Sequence, residues 1–158
     1  MPIYNHTFLV PDPNDPSRQM LGPAGLASTG PIIPVELSIP DELARFFSEK
    51  NMPIPAPITG NALIDTGASI TAVDLTLIQQ LGINPVGVST VFTPQGQAAQ
   101  ELFPIKLAFP GTTIILSLNA VLGSELRNQN IVALIGRNIL ARCILVYNGP
   151  LGNISLSI

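Results

Sequence analysis

The chain has 158 residues, of which 46% are hydrophobic and 11% are charged, and its formal net charge is -3 at pH 7. This length suits one domain with an ample core, and the low charge suggests that a second subunit covers part of the surface. Lysine and arginine are scattered without a basic run, so we expect no nucleic-acid partner.

The single cysteine, Cys143, excludes an intrachain disulfide. The first residues lack the basic and apolar regions of a secretory signal, and no apolar run is long enough to span a bilayer. We therefore expect a soluble cytoplasmic protein with no membrane partner.

Residues 1–30 are predicted to form an N-terminal arm and linker. Residues 3–10 have the composition of a short strand, whereas residues 11–31 contain five prolines, which cannot donate to a sheet ladder. We expect the second segment to be a surface linker. Two further hypotheses are that the chain cleaves itself in this linker and that the first strand adds to a sheet of the dimer.

Residues 31–158 are predicted to form one domain of short strands. A strand over residues 32–38 leads into a helix over residues 41–51, for which Ser38 and Asp41 resemble a capping box.

A second predicted helix is capped by Asp74 and ends at Gly82. Further strands are predicted over residues 61–64, 86–92, 101–109, 113–122, 131–135, 144–147 and 153–158, with a helical turn over residues 138–142. The predicted fold class is all-β, with two or three short helices.

Few residues can carry chemistry. The only histidine, His6, lies outside the patterned core, which argues against Ser-His or Cys-His nucleophiles and against a zinc site. Phosphate-binding glycine-rich loops are absent, and Cys143 has the setting of a small core residue. We expect no cofactor and no metal.

Asp65 differs from the other nine acidic residues because an apolar strand leads directly into it. A carboxylate at the end of a buried strand is costly unless it is hydrogen-bonded. Gly67 and Ala68 follow, and small residues let backbone N–H groups approach the carboxylate. The Asp-Thr-Gly segment also fits a tight structural turn after a strand. Without further evidence, the segment favours this structural interpretation over a catalytic one.

A second motif favours a catalytic role for Asp65 over a structural turn. Residues 62–69 (Ala-Leu-Ile-Asp-Thr-Gly-Ala-Ser) and residues 134–138 (Leu-Ile-Gly-Arg-Asn) occur in that order, with hairpin-tip chemistry between them. Together they resemble the retropepsin-like aspartic peptidases, the cellular and bacterial-like members more than the viral ones. The resemblance covers residues 31–158 and implies a single-lobe, acid-protease-type closed barrel that functions as a homodimer.

The resemblance implies an endopeptidase that hydrolyses bonds in a peptide or protein substrate. Two carboxylates are needed, one as the base that activates water and one as the proton donor. The chain supplies one Asp-Thr-Gly segment, so the second Asp65 is expected from another copy across a two-fold axis. Residues 153–158 are predicted as an interface strand, because their edge would otherwise be exposed.

The resemblance also implies a role for each residue of the loop. Asp65 would be catalytic, Thr66 would hydrogen-bond across the dimer axis, and Gly67 would offer backbone groups to the carboxylates and substrate. Ala68 and Ser69 would complete the loop.

The second motif would support this loop. Ile135 and Gly136 would pack beneath it, and Arg137 would hold its hydrogen-bond network near the interface. Many viral members carry an acidic residue where this chain has Ser69. We therefore expect Arg137 to bond Ser69 and backbone carbonyls, or to find another partner.

The predicted flap hairpin spans about residues 90–102, with Pro94, Gln95 and Gly96 at its tip, and it is not glycine-rich as in viral members. The helix over residues 41–51 is expected as an insertion relative to the viral fold. Two alternatives remain open: an inactive retropepsin-like module for dimerisation or peptide binding, and an unrelated small β-barrel binding protein.

Overall fold

The structure is a computed structural model that describes residues 2–93 and 96–158. Within these residues the chain is mainly β, as predicted, with twelve strands, four α-helices and one 3-10 turn. The strands are β1 (Ile3–Thr7), β2 (Leu9–Asp12), β3 (Asp15–Leu21), β4 (Ile32–Ser38), β5 (Ile58–Ile64), β6 (Ala72–Asp74), β7 (Gly87–Thr93), β8 (Gly96–Ala108), β9 (Ile115–Ser124), β10 (Ala133–Ile135), β11 (Ile144–Asn148) and β12 (Asn153–Ser157). The helices are α1 (Pro23–Thr29), α2 (Asp41–Glu49), α3 (Leu75–Gln80) and α4 (Arg137–Leu140), and the 3-10 turn is Arg127–Gln129.

Seven strands form the larger sheet, in the order β4-β5-β10-β6-β9-β8-β7. β4 also pairs with β8, where Leu37 lies opposite Leu107, so the ladder returns from β8 to the first strand of the sheet. β10 runs parallel to β5 and antiparallel to β6. The carboxyl ends of β5 and β10 therefore lie side by side.

Alternate residues of the long strands face one core. In β4 these are Ile33, Val35 and Leu37, and in β8 they include Ile105 and Leu107, all fully buried. This period of two is what a strand with one buried face requires. Burial of each side chain of this size contributes about 1.5–3 kcal/mol.

Helix α2 begins where predicted, but the capping box between Ser38 and Asp41 is wrong. Pro40 is the N-cap residue, and no side chain makes a capping hydrogen bond. The Asp41 carboxylate instead accepts a 2.6 Å hydrogen bond from Lys106 Nζ. None of the helices in the described residues is long and apolar enough to cross a membrane.

The linker predicted over residues 11–31 is wrong because the segment has secondary structure, although β2 and β3 have no buried residue over positions 11–20, as expected for a surface segment. β2 and β3 form an antiparallel hairpin, and α1 follows with Leu26 fully buried. Prolines are tolerated in β2 and β3 because each strand of a two-stranded sheet has an edge that needs no donor. Tyr147 Oη donates to the Leu26 carbonyl over 3.3 Å. In the N-terminal segment, Tyr4 and Leu26 thus belong to the core, whereas residues 11–20 do not.

A three-stranded sheet joins the chain ends in the order β1-β12-β11, and we call it the terminal sheet. β12 is paired on both sides within its own chain, and its Ile154 and Leu156 are fully buried. The exposed edge predicted for residues 153–158 is therefore wrong, because β1 occupies it.

Candidate active site

The two motifs meet because β5 and β10 are parallel neighbours. Ile64 lies opposite Ile135 in the ladder, and the Asp65 N–H donates to the Ile135 carbonyl at 3.0 Å. Asp65 therefore begins a loop at the same sheet end where Gly136 and Arg137 leave β10. The sequence contained both motifs, and the sheet register brings them together.

The Asp65 side chain is half-buried and is held by the backbone of its own loop. Its Oδ1 accepts hydrogen bonds from the N–H groups of Gly67 at 2.8 Å and Ala68 at 3.3 Å. A Cβ at Gly67 would lie 3.0 Å from this oxygen, so glycine allows the close approach. No hydrogen bond from the described residues reaches Asp65 Oδ2, which is available to a ligand.

Arg137 also binds the loop, through Ser69 and backbone carbonyls, as expected from the serine at position 69. Its Nη1 donates to the carbonyls of Thr66 and Gly67, both at 2.8 Å, and its Nη2 donates to Ser69 Oγ at 2.9 Å. The Arg137 N–H also donates to the Ala68 carbonyl at 2.9 Å. A planar guanidinium can hold several acceptors in one fixed arrangement, so Arg137 fixes the loop without a carboxylate partner among the described residues.

Gly136 allows the second motif to sit directly against the loop. A Cβ there would lie 2.7 Å from the Ile70 backbone carbon, which no side chain could tolerate. Ile135 is fully buried beneath the loop, in the core. Glycine at position 136 is therefore a steric requirement of this junction.

Thr71 and Asn138 complete the junction, and sequence reasoning assigned neither a role. The buried Thr71 Oγ1 donates to Asn138 Oδ1 at 2.8 Å and accepts from the Gly136 N–H at 3.1 Å. Asn138 Oδ1 also accepts from the Thr71 N–H at 2.8 Å. The only signal for Asn138 was its place in the second motif, and Thr71 gave none.

A cleft of about 380 Å³ lies between this loop and the β7–β8 hairpin. The loop contributes Gly67, Ala68 and Ser69, and the hairpin contributes Thr90, Val91 and Gln100. None of the described residues that line the cleft is charged. Apolar and uncharged polar groups can therefore enter it without leaving a charge unpaired.

A hairpin is present where the flap was predicted: β7 and β8 pair antiparallel from Gly87 opposite Leu102 to Thr93 opposite Gly96. Of the predicted tip residues, Pro94 and Gln95 lie outside the described residues. Gly96 has a φ of 126°, a conformation that favours glycine.

Asp74 is another carboxylate at a strand end, but it lies at the opposite end of β10 from Asp65 and its hydrogen bonds are structural. It is 1% exposed, and its Oδ1 caps α3 by accepting from the N–H groups of Thr76 and Leu77, as predicted. Its Oδ2 accepts from the N–H groups of Leu126 and Arg127, which sequence reasoning missed. Both oxygens are occupied, so Asp74 offers none to a substrate.

Other reactive side chains lie outside this site. His6 is on β1, where its ring contacts Phe8 edge-on at 4.9 Å. Cys143 Sγ donates to the Ile139 carbonyl, and burial raises the pKa of the thiol, which disfavours the nucleophilic thiolate. In the described part of the chain, no three His, Cys, Asp or Glu side chains are grouped as a metal site.

Neither a scan against models of known protein families nor a search of curated proteins finds a match to this chain. A functional assignment therefore depends on the two motifs and on the geometry around Asp65.

Proposed function

We propose that this chain is a retropepsin-like aspartic endopeptidase, in which a homodimer brings two Asp65 carboxylates together across a two-fold axis. One observation carries the proposal. The loop that begins at Asp65 lines an uncharged cleft through Gly67, Ala68 and Ser69, the loop backbone holds Asp65 Oδ1 and leaves Oδ2 available, and the second motif holds that loop through Arg137.

The chemistry requires a pair of such carboxylates. One, ionised, removes a proton from water, and the other, protonated, donates to the oxygen of the scissile carbonyl. Two close carboxylates do not both ionise readily, so in aspartic peptidases the pair shares one proton. Within one chain, Asp74 has both oxygens occupied by backbone donors, and only one Asp-Thr-Gly segment is present, so the proposal takes the partner for Asp65 from a second copy.

The proposal also includes the finer description of the fold. A single-lobe closed barrel is supported by the pairing of β4 with β8, which returns the ladder to its first strand. The β7–β8 hairpin would serve as the flap, and a peptide or protein segment would lie between it and the loop of Asp65. The uncharged lining of the cleft favours uncharged side chains in the substrate next to the scissile bond.

The test compares purified wild type with Asp65→Asn on a pool of fluorogenic peptides from acidic to neutral pH. We expect wild type to cleave and Asp65→Asn to be inactive, with activity blocked by the hydroxyl-containing inhibitor pepstatin and unaffected by a chelator. Asp41→Asn is the matched control, because it removes an exposed carboxylate far along the chain from the loop.

Two outcomes would contradict the proposal. Cleavage by Asp65→Asn at the wild-type rate would show that another group does the chemistry. Peptide binding without cleavage by wild type would favour the inactive peptide-binding module instead.

A further inference from the structure

Helix α2 takes no part in the candidate active site, and its apolar side chains are incompletely covered. Leu43 and Phe47 are partly buried against the core, whereas Phe46 is 48% exposed. No residue of the helix is fully buried. A surface helix normally turns its whole apolar stripe towards its own domain, so the flank of α2 that carries Phe46 is left open to another molecule.

This part of α2 borders a groove of about 300 Å³, which we call the α2 groove. Its described lining consists of four apolar and two polar residues: Pro40, Leu43, Ile83, Pro104, Glu42 and Asn84. Phe46 follows Leu43 by three positions, which places the two side chains on neighbouring parts of the helix surface. The volume is at the lower end of the range for ligand pockets, so it suits one large apolar side chain.

The α2 groove lies at the base of the β7–β8 hairpin. Ile83 and Asn84 come shortly before β7, and Pro104 belongs to β8 just beyond the residues that pair with β7. The Lys106 ammonium of the same strand donates to the Asp41 carboxylate at the start of α2. A molecule in the groove therefore contacts both the helix and the two segments from which the hairpin extends.

The charges around the groove determine which occupant it suits. Asp41 is paired with Lys106, but Glu42 makes no salt bridge with any described residue, including Arg45 one turn further along the helix. The Asn84 side chain also makes no hydrogen bond among the described residues. An apolar side chain next to a cationic one would bury the apolar lining and give the Glu42 carboxylate a partner.

We propose that the α2 groove docks a segment of a partner protein that inserts one large apolar side chain and places a lysine or arginine against Glu42. The carboxylate selects against acidic segments, because like charges repel at an interface. A docked segment connects α2 with the base of the hairpin and so restrains the hairpin that borders the cleft. The inference does not depend on peptidase activity.

The experiment measures peptide binding to the full chain as Asp65→Asn, which prevents any cleavage of the probe. One pool of short fluorescein-labelled peptides carries leucine, methionine or phenylalanine beside arginine, and a second pool carries glutamate in place of arginine. By fluorescence anisotropy, we expect the arginine pool to bind with a dissociation constant at least about tenfold lower. Equal binding of the pools, tighter binding of the glutamate pool, or no binding at about 1 mM peptide would overturn the proposal.

Two glutamates of α2 provide a matched pair of variants. Glu42 and Glu49 are both exposed, so neither Glu42→Gln nor Glu49→Gln should affect folding, and only Glu42 lines the groove. Glu42→Gln should weaken binding of the arginine pool about fivefold, whereas Glu49→Gln should leave it within about twofold of the parent protein. Equal weakening by both variants would indicate a general effect of net charge and would overturn the proposal.

Backbone amide exchange locates the bound peptide without a substitution. The arginine pool should slow exchange in α2 and at residues 83–88, while exchange in β11 stays constant. Protection confined to residues 65–69 would mean that the pool occupies the cleft, and it would overturn the proposal. Because binding is read without activity, a chain that docks the arginine pool in the groove and cleaves nothing would refute the peptidase alone.

Discussion

Asp65 and Asp74 are nine positions apart and make the same local hydrogen bonds; Asp65 follows β5, and Asp74 is the last residue of β6. Each carboxylate uses Oδ1 to accept from the N–H groups two and three residues further along. They differ in the other oxygen. Asp74 Oδ2 accepts from Leu126 and Arg127 in a distant loop, whereas no described residue donates to Asp65 Oδ2.

The comparison shows that local sequence chemistry does not separate a carboxylate with both oxygens bonded from one with an oxygen available to a ligand. Both residues terminate a strand and satisfy the first donors that follow it. The 3-10 turn over Arg127–Gln129 covers Asp74, while an uncharged cleft lies beside the loop of Asp65. Tertiary surroundings thus decide which of the two carboxylates keeps an oxygen without a donor from the described residues.

The largest effect is expected from Asp65→Asn. Hydrolysis by the proposed mechanism should fall by at least about 1000-fold, because an amide cannot act as the base. The free energy of unfolding should change by less than about 0.5 kcal/mol, because the amide oxygen still accepts from Gly67 and Ala68. Peptide cleavage and urea denaturation measure the two quantities. A loss of several kcal/mol in stability would place Asp65 in the same structural class as Asp74.

The converse result is expected for Asp74→Asn. One amide oxygen cannot replace two carboxylate oxygens, so buried N–H groups would lose their acceptor, and the free energy of unfolding should fall by about 2–4 kcal/mol. Urea denaturation measures the loss. The control is Asp41→Asn, which removes a surface salt bridge to Lys106 and should cost less than about 1 kcal/mol. Equal losses in both variants would contradict the structural role of Asp74.

Arg137→Lys tests whether the loop needs the guanidinium. An ammonium group is not a planar fork and cannot hold the Thr66 and Gly67 carbonyls and Ser69 Oγ in one plane. We expect about tenfold slower hydrolysis through a misplaced Asp65, with less than about 1 kcal/mol lost in stability because the site is exposed.

The matched control for this change is Arg142→Lys, which alters an exposed arginine that makes no salt bridge among the described residues. It should leave the rate of hydrolysis unchanged. If both variants slow hydrolysis equally, the contacts of Arg137 to the loop are not the cause.

The sequence predicted those parts of the fold and site that have a local signal. Strand β4 alternates between buried and half-buried residues, and α3 has its cap at Asp74. The Arg137 contacts to Ser69 and to backbone carbonyls could also be expected, because the motif has a serine where an acid would pair with arginine.

The parts that the sequence did not predict depend on distant contacts. β6 has three residues, all buried, so it shows no alternation. The prolines of β2 and β3 argued against strands in this segment, but this two-stranded sheet accommodates them. Pairing of β1 with β12 joins opposite ends of the chain, and no local pattern encodes it.

The smallest predicted effect concerns His6, which must be separated from the carboxylates in any pH study. Partial burial lowers the pKa of His6 from its ordinary value of 6.5, so the folded state binds a proton less readily than the unfolded state. The stability that His6 contributes is therefore complete above pH 6.5 and is lost as pH falls through the lower pKa of the folded protein. Urea denaturation at neutral and mildly acidic pH should show a smaller decline in His6→Gln than in wild type. His6→Gln also loses the edge-on contact with Phe8, but that loss is the same at every pH and leaves the slope unaffected. An equal decline in both proteins would assign the pH dependence to groups other than His6.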